Sequence, residues 1–323
     1  DWSSDVCSSD LRHIDIENSD AADDELIINN KAIQRLSIET NADNNKPFKL
    51  INVANSSLHK LYVVETSMEQ RTLKKVILNE NIDTLTIGGY ISRGDVPQQS
   101  VELVGLSRLN RLKRLSYNPD FSPIATKDLP KNIEELYIGG SGNVPYKDGD
   151  SFDYSHLSKL KIYSNGKFIS ANMKLSTAID SIYLFPSQVF GDLKALDFSG
   201  LKFTKADIYI GSLTRNDVEL PILKRFVFPA TLKQLKLSNA QSEVVDLSRC
   251  THLKALYVFE SGAGERAIKK LILPKNLKKS DFKRQHKSEF ENDYAFKLAD
   301  ISNETVIENL PSWVENDGNG TYS

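Results

Sequence analysis

The sequence contains the stretch Leu58-His59-Lys60-Leu61-Tyr62-Val63, in which apolar side chains precede and follow a central leucine at fixed spacing. The same six-residue pattern recurs at 33–38, 58–63, 82–87, 112–117, 133–138, 157–162, 179–184, 232–237 and 253–258, with partial copies at 207–210 and 277–282. Its central positions recur about every 24 residues, and a fixed period of this size indicates a repeated structural unit. One such unit cannot bury its own apolar side, so we expect a solenoid whose stacked turns share one core.

The period also indicates the kind of solenoid, because about 24 residues lies within the range of about 20–29 that leucine-rich repeats show. We therefore predict a leucine-rich-repeat solenoid of about eleven coils, with a curved parallel β-sheet on its concave face. The segments between the copies are rich in Ser, Asn, Asp and Gly and lack sustained helical periodicity. They predict irregular or 3₁₀ returns and few long helices. A parallel β-helix is the alternative fold.

Two segments carry a more specific resemblance. Residues 247–256 and 268–277 resemble the repeats of bacterial leucine-rich-repeat surface proteins, in particular the BspA-like and internalin-like repeats of the Bacteroidetes type. The resemblance covers roughly residues 30–283. It implies an adhesin-like protein of the cell surface, or a secreted one, which binds its partner without catalysing a reaction.

The repeat pattern also suggests how the chain is organised. Residues 1–11 resemble a translated sequencing adapter, so we expect this segment to be non-native. Residues 12–31 are expected to form an N-terminal edge or cap, and residues 32–283 the leucine-rich-repeat array. Residues 284–323 are expected to form a C-terminal cap and linker that is truncated, which makes the chain a fragment of a longer protein.

Alternate side chains of a strand point away from the core, so the residue after each central position is expected to face solvent. These residues are Ser37, Tyr62, Thr86, Ser116, Tyr137, Lys161, Tyr183, Tyr209, Lys236, Tyr257 and Asp281. Five of them are tyrosine, although the whole chain has only 12. Tyrosine suits a half-exposed strand whose neighbouring rings stack, and it equally suits a recognition surface. The binding hypothesis assigns the ligand to Tyr62, Tyr137, Tyr183, Phe185, Tyr209, Tyr257 and Phe259.

Composition and motifs exclude several other classes of function. The 323 residues carry a formal net charge of −2, which gives no basic stripe for nucleic acid. The sequence contains no run of 18 apolar residues, so we predict no membrane-spanning segment. The five histidines are scattered, and Cys7 and Cys250 form neither a zinc pattern nor a disulfide framework. No nucleophile, phosphate-binding or metalloprotease motif occurs, so we predict neither catalytic residues nor a metal or other cofactor.

These observations predict a non-enzymatic module that binds a protein or glycan macromolecule through the concave sheet face. One alternative is a structural spacer that holds a missing module away from the cell. Another is the substrate-recognition part of a truncated enzyme.

Overall fold

The computed structural model describes residues 12–17, 24–41, 48–67, 71–91, 99–140, 145–210, 222–260, 267–282, 295–318 and 320–323. These residues form a parallel β-solenoid and contain almost no helix. It divides into a first unit, Asp1–Tyr146, and a second unit, Lys147–Ser323. Residues 1–11 of the predicted adapter-like segment lie outside the described residues.

The first unit alternates long strands of a main sheet with short strands of a second sheet. In chain order its strands are β1 His13–Glu17, β2 Glu25–Ile27, β3 Arg35–Asn41, β4 Leu50–Asn52, β5 Lys60–Ser67, β6 Lys75–Ile77, β7 Thr84–Ile91, β8 Glu102–Val104, β9 Arg114–Tyr117 and β10 Glu135–Ile138. The main sheet has the order β1-β3-β5-β7-β9-β10 and the second sheet the order β2-β4-β6-β8. Two 3₁₀ helices, Leu106–Arg108 and Thr126–Asp128, lie in the returns.

The second unit repeats this arrangement with more short strands. They are β11 Phe152–Asp153, β12 Ile162–Asn165, β13 Phe168–Ser170, β14 Met173–Lys174, β15 Ser181–Leu184, β16 Gln188–Phe190, β17 Ala195–Asp197, β18 Lys205–Tyr209, β19 Arg225–Val227, β20 Gln234–Ser238, β21 Val244–Asp246, β22 Ala255–Phe259, β23 Lys270–Ile272, β24 Phe296–Ala299 and β25 Val306–Glu308. The main sheet runs β12-β15-β18-β20-β22-β24 and the second sheet β17-β19-β21-β23-β25, while β11 pairs with β14 and β13 with β16. Lys279–Asp281 forms a 3₁₀ helix in the described part of this unit.

The central positions of the repeat form a buried row in each unit. In the first unit they pair in register and are fully buried: Leu36, Leu61, Leu85, Leu115 and Leu136. In the second unit the paired residues are more varied: Tyr163, Ile182, Ala206, Leu235, Leu256 and Phe296. Burial of one large apolar side chain stabilises a fold by roughly 1.5–3 kcal/mol, so this row holds successive turns together.

A short polar motif ends several strands of the return sheets. The carboxylate of Asp246 accepts a hydrogen bond from the backbone N–H of Ser248 at 3.0 Å, and Asp197 accepts one from Ser199 at 2.8 Å. Asp153 does the same for the N–H of Ser155 at 2.9 Å. An aspartate that binds the backbone two residues ahead closes a turn, which explains why the chain leaves the strand at these points.

Three copies of the predicted repeat are out of register. Leu160, the expected centre of 157–162, precedes β12, and Tyr163 takes the central position opposite Ile182. The apolar spacing of three residues occurs twice in a row there, so the six-residue pattern fits equally well one step too early. In 207–210 the centre is the small residue Ala206 rather than Ile208, so that Asp207 follows the centre.

The third copy, 277–282, does not form a main-sheet strand at all. Lys279–Asp281 is a 3₁₀ helix, and the partner of Leu256 in the next described strand is Phe296. The prediction of Asp281 as an outward-facing strand residue is therefore wrong. Strands β1, β2, β24 and β25 also lie outside the predicted 32–283 array.

The C-terminal residues close the end of the second unit. The rings of Phe282, Phe296 and Trp313 form a cluster with centroid distances of 5.2–5.7 Å. Trp313 Nε1 donates a hydrogen bond to the carbonyl of Leu277 at 3.0 Å. Tyr322 pairs with Leu298 in an antiparallel bridge. This cluster and bridge shield the last turn of the core from water.

Candidate binding face

The outward-facing side chains of β15, β18, β20, β22 and β24 form one surface, called the outer face below. Strand registers align its central row across neighbouring strands in the order Tyr183, Asp207, Lys236, Tyr257 and Lys297. On each of these strands the residues directly before and after the row position are buried, so this row faces away from the core. Aromatic and charged side chains therefore share the accessible side of the sheet.

Most of the predicted aromatic residues lie on the outer face. Tyr257 and Phe259 are stacked, with ring centroids 6.2 Å apart and an interplanar angle of 17°. Burial raises the pKa of Tyr257, and nearby Asp300 raises it further, so its hydroxyl stays protonated. Phe185 directly follows β15 and is 36% exposed. These rings are flat, partly accessible surfaces held by a rigid sheet.

Tyr209 belongs to the same surface but not to the predicted row. It pairs with Ser238, which in turn pairs with Phe259, two residues further along the strands than the Tyr183 row. Asn239 Nδ2 lies 3.4 Å from the Tyr209 hydroxyl and donates a hydrogen bond to it. The shift follows from the central Ala206, which the leucine-based pattern missed.

The middle of the outer face is charged. Lys236 Nζ lies 3.5 Å from Asp207 Oδ2, and their side chains are 37% and 14% exposed. Burial raises the pKa of Asp207, while Lys236 and Lys205 oppose this shift. Asp207 Oδ1 is buried and accepts no hydrogen bond within the described part of the chain. Lys205 Nζ also lies 5.6 Å from the centre of the Tyr183 ring, in cation–π range.

We expect Asp207→Asn to stabilise the protein at neutral pH by about 1 kcal/mol, because a partly buried carboxylate pays a desolvation cost. The pKa of this carboxyl is raised in the folded state, so its contribution to stability is present below its ordinary pKa and lost as pH rises through the folded value. The gain from the substitution should therefore be largest near pH 7 and shrink as pH falls towards 4. Thermal unfolding of both proteins from pH 4 to 8 measures it, and a constant difference would contradict the assignment.

Tyr62 and Tyr137 lie in the first unit, where Thr86 and Ser116 separate them along the outward row. The Tyr62 hydroxyl donates a hydrogen bond to the Glu39 carboxylate. Burial raises the pKa of Tyr62, and the Glu39 carboxylate raises it further. The Tyr137 hydroxyl donates to Glu135 Oε2 at 3.1 Å, and the guanidinium of Arg114 lies 4.8 Å from its ring centre. Polar neighbours thus engage both tyrosines within their own unit.

The repeat pattern did not predict Lys205 and Asp207 on the accessible side of the sheet, and it wrongly placed Lys161 on the outward row. Ser164, not Lys161, pairs with Tyr183 in that row. It also missed Lys297, which pairs with Tyr257. Ala206 could have been recognised as the central residue of β18, and Asp207 as the outward residue after it. Ala206 is apolar and follows the buried Phe203 by three residues, which is the spacing between Leu112 and Leu115.

The part of the chain that the structure describes lacks the features of a metal site and of a membrane-spanning helix. No group of three or more His, Cys, Asp or Glu side chains lies close enough to hold a metal ion among those residues. No described helix has the length and apolarity needed to cross a membrane. Cys250 is buried, its Sγ lies 3.4 Å from the carbonyl of Pro229, and burial raises the pKa of its thiol to about 12. This thiol is therefore a poor nucleophile at neutral pH.

Comparison of the chain with models of protein families, with curated proteins and with solved structures found no match.

Proposed function

We propose that this solenoid is a non-enzymatic binding module that recognises a protein or glycan macromolecule through the outer face of its second unit. The observation that supports this proposal is a set of partly accessible aromatic side chains aligned on neighbouring strands: Tyr183, Phe185, Tyr209, Tyr257 and Phe259. Tyrosine and phenylalanine offer large contact areas and lose little side-chain entropy on binding, and they are enriched where partners bind. A set of aromatic side chains on a soluble protein surface supports a partner site.

We also propose a solenoid class and a cellular location for the protein. The φ-x-x-Leu-x-φ pattern, where φ is apolar, and its period support a leucine-rich-repeat solenoid. The resemblance of 247–256 and 268–277 supports a bacterial protein of the cell surface or a secreted one. The alternative class is a parallel β-helix, and the observation that favours it is the second parallel sheet, β17-β19-β21-β23-β25, in the returns.

The test is a combined Tyr183→Ser, Tyr257→Ser and Phe259→Ser variant, screened on glycan and purified-protein arrays beside the unchanged protein. We expect the variant to lose at least about tenfold in affinity for the partner, because the contact residues of an interface centre carry most of its binding energy. Tyr62→Ser combined with Tyr137→Ser is the matched control in the first unit and should bind normally. Circular dichroism and thermal unfolding verify that each variant folds.

Two results would contradict the proposal. In one, the triple variant retains every partner, which would make the aromatic row a stabilising feature of the sheet alone. In the other, the unchanged protein binds nothing on either array, which would favour a spacer role.

A further inference from the structure

The outer face carries aromatic side chains and lysine side chains at separate positions. This arrangement limits the chemical class of the partner, provided that the proposed binding function holds. Two aromatic platforms lie at its sides: Tyr183 with Phe185 at β15, and Tyr257 with Phe259 on β22. Three strand-to-strand steps separate β15 from β22, which is about 14 Å at about 4.8 Å per step. The rings of Tyr257 and Phe259 are nearly parallel, with an interplanar angle of 17°.

Positive charge lies between and beside the platforms. Lys205 and Lys236 flank Asp207 on β18 and β20, and Lys297 on β24 lies next to Tyr257. Asp207 is the more deeply buried partner of its ion pair, with 14% of its side chain exposed against 37% for Lys236, so Lys236 presents the more accessible charge of the two. A ligand that covers the face therefore meets two apolar platforms and, between them, a cationic strip.

The form of the surface argues against a peptide as the occupant. Peptides commonly add a strand to a sheet edge or insert side chains into a groove. Strands β18, β20 and β22 are hydrogen-bonded to neighbours on both sides, so they offer no edge. A nucleic acid would need dense cationic contacts with its phosphates, whereas the chain has a net charge of −2.

A polysaccharide fits both features. The C–H groups on the apolar face of a sugar ring pack against the electron-rich face of an aromatic ring. A carboxylate on a neighbouring sugar can accept hydrogen bonds from the lysine ammonium groups in the strip between the platforms. We infer that the outer face binds a linear polysaccharide whose sugar rings carry carboxylate groups, with Tyr183 and Tyr257 as stacking platforms and Lys205 and Lys236 as carboxylate ligands.

The experiment uses the full chain and matched pairs of probes: polygalacturonate, alginate and hyaluronate, each beside its methyl-esterified form, by calorimetry in 150 mM salt, where the Debye length is about 8 Å. We expect at least one acid form to bind about tenfold more tightly than its ester. Lys205→Gln with Lys236→Gln should remove that preference by weakening the binding of the acid form towards that of the ester, because glutamine offers no positive charge to the carboxylate. Lys269→Gln with Lys270→Gln, near the second sheet of the same unit, is the control with an equal charge change and should keep the preference.

The outcomes separate this inference from the proposed function. The inference is overturned, and the proposed function survives, if a partner needs the aromatic residues but binds equally after esterification or after the Lys205 and Lys236 changes. It is also overturned if an acidic peptide or an oligonucleotide binds through the face and no carboxylated polysaccharide does. Equal binding of dextran sulfate and all acid forms, lost together at higher salt, would indicate unspecific polyanion attraction and would overturn it too. Failure of the aromatic triple variant to affect any partner contradicts the proposed function itself.

Discussion

Replacing Gly89 with alanine is expected to destabilise the first unit by about 3 kcal/mol, whereas the same replacement at the adjacent Gly88 should cost almost nothing. A Cβ at Gly89 would press against the backbone oxygen of Glu65 and lie 2.5 and 2.7 Å from two ring carbons of Phe121. Phe121 is fully buried, and the guanidinium of Arg71 lies 4.5 Å from its ring centre. The ring therefore has little room to move away.

Gly88 is a close control because it lies in the same strand, β7. A Cβ there would meet only the Cβ of Asn118, at 3.8 Å, which is an ordinary contact. Alanine also restricts the unfolded chain more than glycine does, so we expect Gly88→Ala to change the free energy of unfolding by no more than a gain of about 0.5 kcal/mol. Urea unfolding of the two variants measures the difference. Equal midpoints would show that the packing of Phe121 against the strand is not rigid.

Leucine carries the part of the fold that could be predicted from sequence. At Leu61, Leu85 and Leu136 the central residue is leucine with an apolar residue three positions earlier, and the predicted strand and its buried row are correct. Leu160 has the same spacing after Leu157, but the spacing continues to Tyr163, and there the pattern places the centre three residues too early. Where Tyr163 or Ala206 takes that position, the pattern shifts by a few residues. A buried site between stacked turns accepts any apolar side chain that fills the local space, so leucine is not obligatory there.

The candidate site was predictable to the same degree. Tyr183 and Tyr257 follow correctly identified centres and face outward as expected, while their role in binding stays a prediction. Lys297 was not predictable, because its strand begins far beyond the usual period after Leu256. The pairing of Lys236 with Asp207 depends on the register of β18 against β20, which a single misplaced anchor changes.

Two buried glutamates lie in segments of similar sequence, one in each unit. Residues 61–65 read Leu-Tyr-Val-Val-Glu and residues 256–260 read Leu-Tyr-Val-Phe-Glu, and each is followed by a Lys-Lys pair at the same distance. Glu65 and Glu260 are each only 3% exposed. Each unit thus places a carboxylate four residues after the central leucine, with Glu65 inside β5 and Glu260 directly after β22.

Their hydrogen bonding differs. Glu65 Oε1 accepts a hydrogen bond from the N–H of Thr72 at 2.7 Å, and Oε2 accepts one from Leu73 at 3.1 Å. Burial raises the pKa of Glu65, and these N–H donors and Arg71 oppose the shift. Glu260 Oε1 accepts from the N–H of Ile268 at 2.9 Å, whereas its Oε2 is buried without a hydrogen bond in the described part of the chain.

Glutamine should therefore have opposite effects at the two positions. Glu65→Gln turns one acceptor into a donor that faces the Leu73 N–H and removes the negative charge near buried Arg71, so we expect a loss of about 2 kcal/mol. Glu260→Gln can keep its oxygen towards the Ile268 N–H while it removes a buried negative charge whose Oε2 accepts no hydrogen bond from the described residues, so we expect no loss or a gain of about 1 kcal/mol at pH 7. The pKa of Glu260 is raised by burial, so this gain should fade as pH drops through the folded value. Calorimetric unfolding of both variants at pH 7 and pH 5 tests the contrast, and a loss of similar size at both positions would show that Glu260 is satisfied in solution as Glu65 is.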